Sequence, residues 1–256
     1  MRERQQKWAD VPPGQDNPLS YAATSRDAGV VDMVKQAVRH NDVALAYQAV
    51  VPAKHPKKIA FYEGLIRILD DTGRIIPARD FIDAIEGTET GRIVDCIALD
   101  KGLQTMAMHP EIRLAINMSA RSIGYERWHR TLKRGLGRDP TIAERLILEI
   151  TESSAMLVPE LVISFMADLQ RRGIGFALDD FGAGFTSFRY LRDFYFDILK
   201  IDGQFIRGIA SNSDNQILTA ALFSIAEQFD MVTVAESVED PKDAAFLAKL
   251  GIDCLQ

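Results

Sequence analysis

Glu63, Asn117, Glu149, the adjacent pair Asp179 and Asp180, Lys200, Glu236 and Gln256 stand within or at the ends of seven successive apolar runs. A single acid in such a place commonly caps a turn or faces solvent. A set of carboxylates and an amide converging on one mouth is different, because the charges repel one another unless cations bind among them. Oxygen-rich side chains of this kind suit hard divalent ions. The lone lysine of the set, Lys200, is held protonated by acidic neighbours, which favours phosphate binding or water orientation over amine nucleophilicity. Asp179 and Asp180 close the run "IGFALDD". Successive residues of a regular strand face opposite ways, so the pair is expected to offer carboxylates in diverging directions, as ligands of two neighbouring ions would.

The elements that must position these groups are legible as β-rich runs at 44–51, 59–68, 112–119, 145–151, 174–180, 196–202, 231–237 and 252–256, eight in all. Several are nearly continuous in Val, Ile, Leu, Phe and Ala, as strands buried on both faces are. Amphipathic stretches such as "PELVISFMADLQRRG" and "DNQILTAALFSIAEQFD" join the later runs and imply parallel crossovers. Only "PAKHPKK" separates the first two, too short for a helical crossover, so that pair is expected to be antiparallel. The pattern predicts an α/β fold, a closed β/α barrel with one irregular strand, whose site lies at the C-terminal ends of the strands. A doubly wound open sheet is the structural alternative.

The chain has 256 residues, a formal net charge of −6 and 47% hydrophobic residues, enough to bury a sizeable core. The acidic balance argues against a DNA-binding surface built on many phosphate contacts. No run approaches a membrane span and the N-terminus lacks a signal-peptide core, which reads as cytoplasmic. Residues 1–26 are polar and Pro-containing, a tail or the end of a linker from an upstream domain, with the barrel expected over 27–256. The chain stops at Gln256, so the barrel is expected to be truncated before its last helix. Cys96 and Cys254 read as reduced core residues.

Taken in order, "EGLIR" (63–67), "NMSAR" (117–121), "EITE" (149–152), "DDFGAGFTS" (179–187), "LKID" (199–202) and "AESVE" (235–239) closely resemble the motifs of the EAL-domain family of cyclic di-GMP phosphodiesterases. The resemblance runs from about Val31 to Gln256 and implies a modified TIM-type (β/α)8 barrel with one antiparallel strand. It implies metal-dependent hydrolysis of cyclic di-GMP to linear pGpG with Mg²⁺ or Mn²⁺, two ions per site. Glu63, Asn117, Glu149 and Asp179 match the ligands of the first ion; Asp180 and Glu236 match part of the second site. Lys200 matches the residue that orients the attacking water, Gln256 a polar residue lining the site, Arg67 a phosphate-binding residue and Gln48 a neighbour of a guanine. Glu152 matches the anchor of the Asp-Asp-Phe-Gly loop, which in this family bears on metal binding and on homodimer formation. An N-terminal sensory or regulatory domain is a further implied partner.

The chain departs from the family pattern at Gly64, in place of the signature alanine, at Ser237, where glycine is usual, and at Ala49 and Asp83, which replace prolines. None of these removes an expected metal ligand. Gly64 and Ser237 motivate a second hypothesis, a weak or inactive domain acting as a cyclic di-GMP receptor. A protein-interaction scaffold that binds no nucleotide leaves the acidic cluster without a purpose. A barrel glycosidase needs only two carboxylates at a set separation, and a Schiff-base aldolase needs an apolar setting for its lysine.

Overall fold

The eight apolar runs form strands of one closed barrel in a computed structural model that describes residues 18–70, 72–183 and 191–256, with side chains from residue 28. Strands β1 (Val43–Pro52), β2 (Phe61–Leu69), β3 (Ile75–Pro77), β4 (Leu114–Asn117), β5 (Leu146–Thr151), β6 (Gly175–Phe181), β7 (Ile198–Ile201), β8 (Val232–Ala235) and β9 (Cys254–Leu255) are ordered β1-β9-β8-β7-β6-β5-β4-β2-β3, and a β1–β2 pairing closes the ring. The neighbours from β2 through β4 to β9 run parallel. β1 is the exception. It pairs antiparallel with β9, and the Ala60 N–H donates to Val50 O beside the short connection to β2. The fold is therefore the expected modified barrel. β3, which the sequence reading did not include, pairs antiparallel with the end of β2 and lies outside the ring.

Helices cross between the parallel strands at Glu89–Met108, Glu126–Arg138, Pro159–Gln170, Ser213–Gln228 and Pro241–Leu250, the third and fourth where the amphipathic stretches "PELVISFMADLQRRG" and "DNQILTAALFSIAEQFD" placed them. Their ends follow local chemistry. Asn212 Oδ1 accepts from the Asp214 and Asn215 N–H groups, Asp240 caps the helix that Pro241 opens, and Gly251 ends it at φ 112°. Most of the stretch "TSFRYLRDF" (186–194) lies outside the described residues.

Two compact units make up the chain: residues 44–66 with 92–256, which hold the barrel, and residues 1–43 with 67–91. The smaller unit contains a helix at Pro18–His40, so helix begins inside the segment read from sequence as a polar tail. Among the described residues, Val34, Ala37, Val43, Ile68, Ile76, Phe81 and Ile85 are its buried apolar residues.

The barrel interior is layered, and the layering positions the site. Val50, Phe61, Ala115, Ile147, Ala177, Ile198, Val234 and Cys254, one from each ring strand, form a buried apolar cluster. Side chains on a strand return to the same face every second residue. Two residues toward the mouth from that cluster stand Glu63, Asn117, Glu149, Asp179, Lys200, Glu236 and Gln256, and on antiparallel β1, running the other way, Gln48. The apolar layer is thus the floor of a polar one. Cys254 is part of this floor, a free thiol whose pKa burial pushes up to about 11.

Candidate active site

Lys200 organises the polar layer. Its side chain is 1% exposed, and Nζ lies 2.8 Å from Glu236 Oε1, 2.9 Å from Glu149 Oε2, 2.9 Å from Asp179 Oδ1 and 3.2 Å from Glu63 Oε2. Burial works against the ammonium, but Glu149, Asp179, Glu63 and Glu236 together hold its pKa well above the ordinary lysine value. With all four carboxylates ionised, the single ammonium leaves an excess of three negative charges in this group. The cluster carries that excess unequally. At Glu63 burial opposes the charge, but Lys200 and hydrogen bonds from Gln256 and Asn117 outweigh it and lower the pKa. At Glu149 burial and the neighbouring Glu63 prevail over Lys200 and raise it well above the usual carboxylate range. Burial, reinforced by Asp179 against the pull of Lys200, brings Glu236 to about 8, and burial with the charges of Asp179 and Asp202 brings Asp180 to about 6.

Hydrogen bonds aim the remaining groups. Gln256 Nε2 donates to Glu63 Oε2 (2.5 Å) and Asn117 Nδ2 to Glu63 Oε1 (2.7 Å), so both oxygens of this carboxylate are fixed. Among the described residues, the buried Glu149 Oε1 and Gln256 Oε1 have no hydrogen-bond partner. An oxygen buried without a donor is costly in a finished core and is what a ligand-ready site retains.

The carboxylates form two triads that could each hold a metal ion. Glu63, Glu149 and Asp179 bring ligand oxygens within 4.8 Å of one another, as do Asp179, Asp180 and Glu236. Asp179 is common to both. The divergence expected of Asp179 and Asp180 does not occur, because Asp180 has φ 55° and the β6–β7 register shifts between Leu178 and Phe181. That left-handed residue, a conformation Asp tolerates better than most, turns its carboxylate back beside Asp179.

Gln48, Arg67 and Glu152 complete the expected set. Gln48 is exposed on β1, on the face it shares with Val50. Arg67 belongs to the smaller unit, on the part of β2 that pairs with Pro77 of β3. Glu152 opens the short helix Glu152–Ala155 directly after β5 and is buried; its Oε2 accepts from the Gly182 N–H (3.2 Å), tethering the backbone just past Asp180. Gly184 through Ser187 of the expected loop lie outside the described residues.

A second group, to which sequence reasoning assigned no role, pins the mouth. Buried Asp95 accepts from Ser122 Oγ (2.6 Å) and from the Ser119 N–H (3.1 Å), while Ser154 Oγ accepts from the Ala120 N–H (2.8 Å). The Asp95 bonds fasten the turn after Asn117 to the helix Glu89–Met108, and the Ser154 bond fastens it to the turn after β5. The serines of "NMSARS" and "ESSA" were the available signal, since hydroxyls there compete for backbone groups.

A family model, the EAL domain, matches residues 31–256. The chain belongs to the EAL-domain family. It is 30% identical over 231 residues to the cyclic di-GMP phosphodiesterase PdeF of Escherichia coli K12, an alignment covering 89% of this chain and 30% of that protein. The chain thus spans less than a third of that relative's length. It superposes on the PaMucR phosphodiesterase in complex with c-di-GMP with a TM-score of 0.80 and 28% identity, covering 89% of this chain and 94% of that one. The FimX EAL domain from Pseudomonas aeruginosa bound to c-di-GMP gives a TM-score of 0.80 at 22% identity over 89% of this chain and 93% of that one, a likeness of fold. Among the described residues of this EAL domain, no helix is long and apolar enough to cross a membrane.

Proposed function

We propose that this EAL domain hydrolyses one phosphodiester bond of cyclic di-GMP, adding one water to give linear pGpG, with two divalent ions, Mg²⁺ or Mn²⁺, held by its acidic layer. The observation that carries this reading is the pair of carboxylate triads sharing Asp179 around a buried ammonium. Glu63, Asn117, Glu149 and Asp179 would hold one ion, and Asp179, Asp180 and Glu236 the other. Asn117 now points its amide nitrogen at Glu63, so its role as a ligand requires the amide to turn its oxygen inward. Bound there, divalent ions supply Lewis acidity toward the phosphate and make hydroxide accessible near neutral pH.

The chain's own groups supply the rest. Lys200, locked in the charged form, can donate to a water or to a phosphoryl oxygen but cannot accept a proton from either, which makes it a positioning and charge-offsetting group and not the base. Gln256 keeps Glu63 fixed whichever way the Asn117 amide is turned. Glu236 carries a pKa raised to about 8, so cation binding near pH 7 expels a proton from it, whereas Asp180, at about 6, is already mostly ionised there. Glu152 holds the Gly182 amide and with it the direction of Asp180. Gln48 at the exposed rim is assigned to a guanine and Arg67 to a phosphate.

The test is incubation of the purified protein with cyclic di-GMP in Mg²⁺, Mn²⁺ or EDTA, with nucleotides separated by anion exchange. Metal-dependent appearance of pGpG supports the proposal. Binding of cyclic di-GMP with no product in any metal would make the domain a receptor.

A further inference from the structure

Glu236 is the only ligand of the two triads that sits beyond the last residue of its strand, so the turn that follows it decides where its carboxylate points. That turn is made by Ser237 at φ 57°. Its two neighbours are tied down: the Glu236 N–H donates to Ile201 O (3.2 Å) and the Val238 N–H to Gln256 O (2.8 Å). A left-handed serine is disfavoured where a glycine would not be, so the conformation needs support from outside the turn. The support is visible. Arg207 Nη2 donates to Ser237 Oγ at 2.8 Å. Gly203 leaves the slot in which they meet, since a Cβ there would fall 2.5 Å from Ser237 Oγ and 3.1 Å from Arg207 Nη2. The backbone that presents Arg207 is itself held, because buried Asp243 accepts from the Gly208 N–H and the Ala210 N–H, each at 2.8 Å.

We propose that Ser237 and Arg207 are a coupled pair of positioning residues that keep the left-handed turn closed and thereby hold Glu236 in the second carboxylate triad. The pair is this chain's own solution to a position where glycine would need no help. The inference rests on the reading of Glu236 as a metal ligand. Its direct prediction concerns the turn itself, which exists without metal.

A double-mutant cycle tests it with two readouts: amide hydrogen exchange of Val238 in metal-free protein, and Mn²⁺ affinity by titration calorimetry. Arg207→Ala and Ser237→Ala are each expected to speed Val238 exchange and weaken the lower-affinity Mn²⁺ site about fivefold, the scale of one lost hydrogen bond. Ser237→Gly removes the cost of the turn, so Mn²⁺ affinity stays within about twofold, and adding Arg207→Ala to it costs less than about twofold more. A merely structural Arg207 would cost the same in both backgrounds, and that result would overturn the proposal. So would unchanged Val238 exchange in both alanine variants. Absence of hydrolysis by the wild type would remove the functional reading alone, since the exchange cycle is read without metal or substrate.

Discussion

Replacing Lys200 by methionine keeps the stem's volume and removes the ammonium that four carboxylates share at 2.8–3.2 Å. At an effective dielectric of about 20, each such contact is worth about 5 kcal/mol of gross Coulomb attraction. Most of this is offset by the cost of burying the lysine, and the cluster has a cheaper escape, which is to take up one more proton. For a carboxylate of ordinary pKa near 4.5, that uptake costs about 4 kcal/mol at pH 7.5 and about 1.4 kcal/mol at pH 5.5. Breaking a buried ion pair by removing one partner typically costs about 3–5 kcal/mol, consistent with the higher figure. For a domain of this size 1 kcal/mol corresponds to about 2–4 °C, so Lys200→Met should lower Tm by about 8–16 °C at pH 7.5 and about 3–6 °C at pH 5.5. The assay is thermal unfolding followed by circular dichroism in EDTA at both pH values, repeated with saturating Mn²⁺. Divalent ions replace the missing charge and should recover much of the loss at pH 7.5. A loss below about 2 °C in EDTA at pH 7.5, or an equal loss at both pH values, would refute the argument that the ammonium is the counter-charge of the layer.

Three further outcomes are expected. In metal-free protein the Glu236 pKa of about 8 lies above its ordinary 4.5, so the folded state binds the extra proton between those values and stability falls as pH rises from about 5 to 8. Thermal unfolding across that range should show the fall in EDTA and a flatter profile with Mn²⁺; a Tm that rises with pH in EDTA contradicts it. Because Asp179 serves both triads and Asp180 one, Asp179→Asn should weaken both Mn²⁺ sites and Asp180→Asn a single site, each by more than the roughly 10–100-fold typical of groups behind a ligand. Calorimetric stoichiometry decides it, and equal effects of the two variants would count against the shared ligand. Gly64 faces away from Glu63, toward Ile116, whose Cδ1 would lie 2.8 Å from an added Cβ. Gly64→Ala therefore sets a small rearrangement of Ile116 against a stiffer unfolded chain, and stability should change by less than about 1 kcal/mol with hydrolysis unaffected, as denaturant unfolding and a turnover assay would show.

Much of this architecture was legible because it is written in local periods. The continuous apolar runs, the helical stretches between them and the short "PAKHPKK" connection gave the barrel and its antiparallel strand, since burial on two faces and loop length are properties of neighbouring residues. The acidic residues at successive run ends marked the polar layer in the same way. "DMVKQAVRHND" (32–42) shows helical spacing, but β3 and the first turns of the helix from Pro18 were missed, because a three-residue strand and a polar helical stretch carry little periodic signal.

Tertiary structure decided how the pieces meet. Period-two alternation says which face a residue takes but not which residues of different strands share a level. That depends on barrel closure and register, which put Glu63 and Gln256 in contact across 193 positions of sequence. The convergence of Asp179 and Asp180 came from a register shift against β7 and a positive φ, neither of which a local pattern encodes. Ser237 reads in sequence as a lost glycine, and only the fold brings Arg207 to it. Side-chain type is local, whereas the field around Lys200 is a sum over strands far apart in the chain, so the charge balance of the site exists only once the ring is closed.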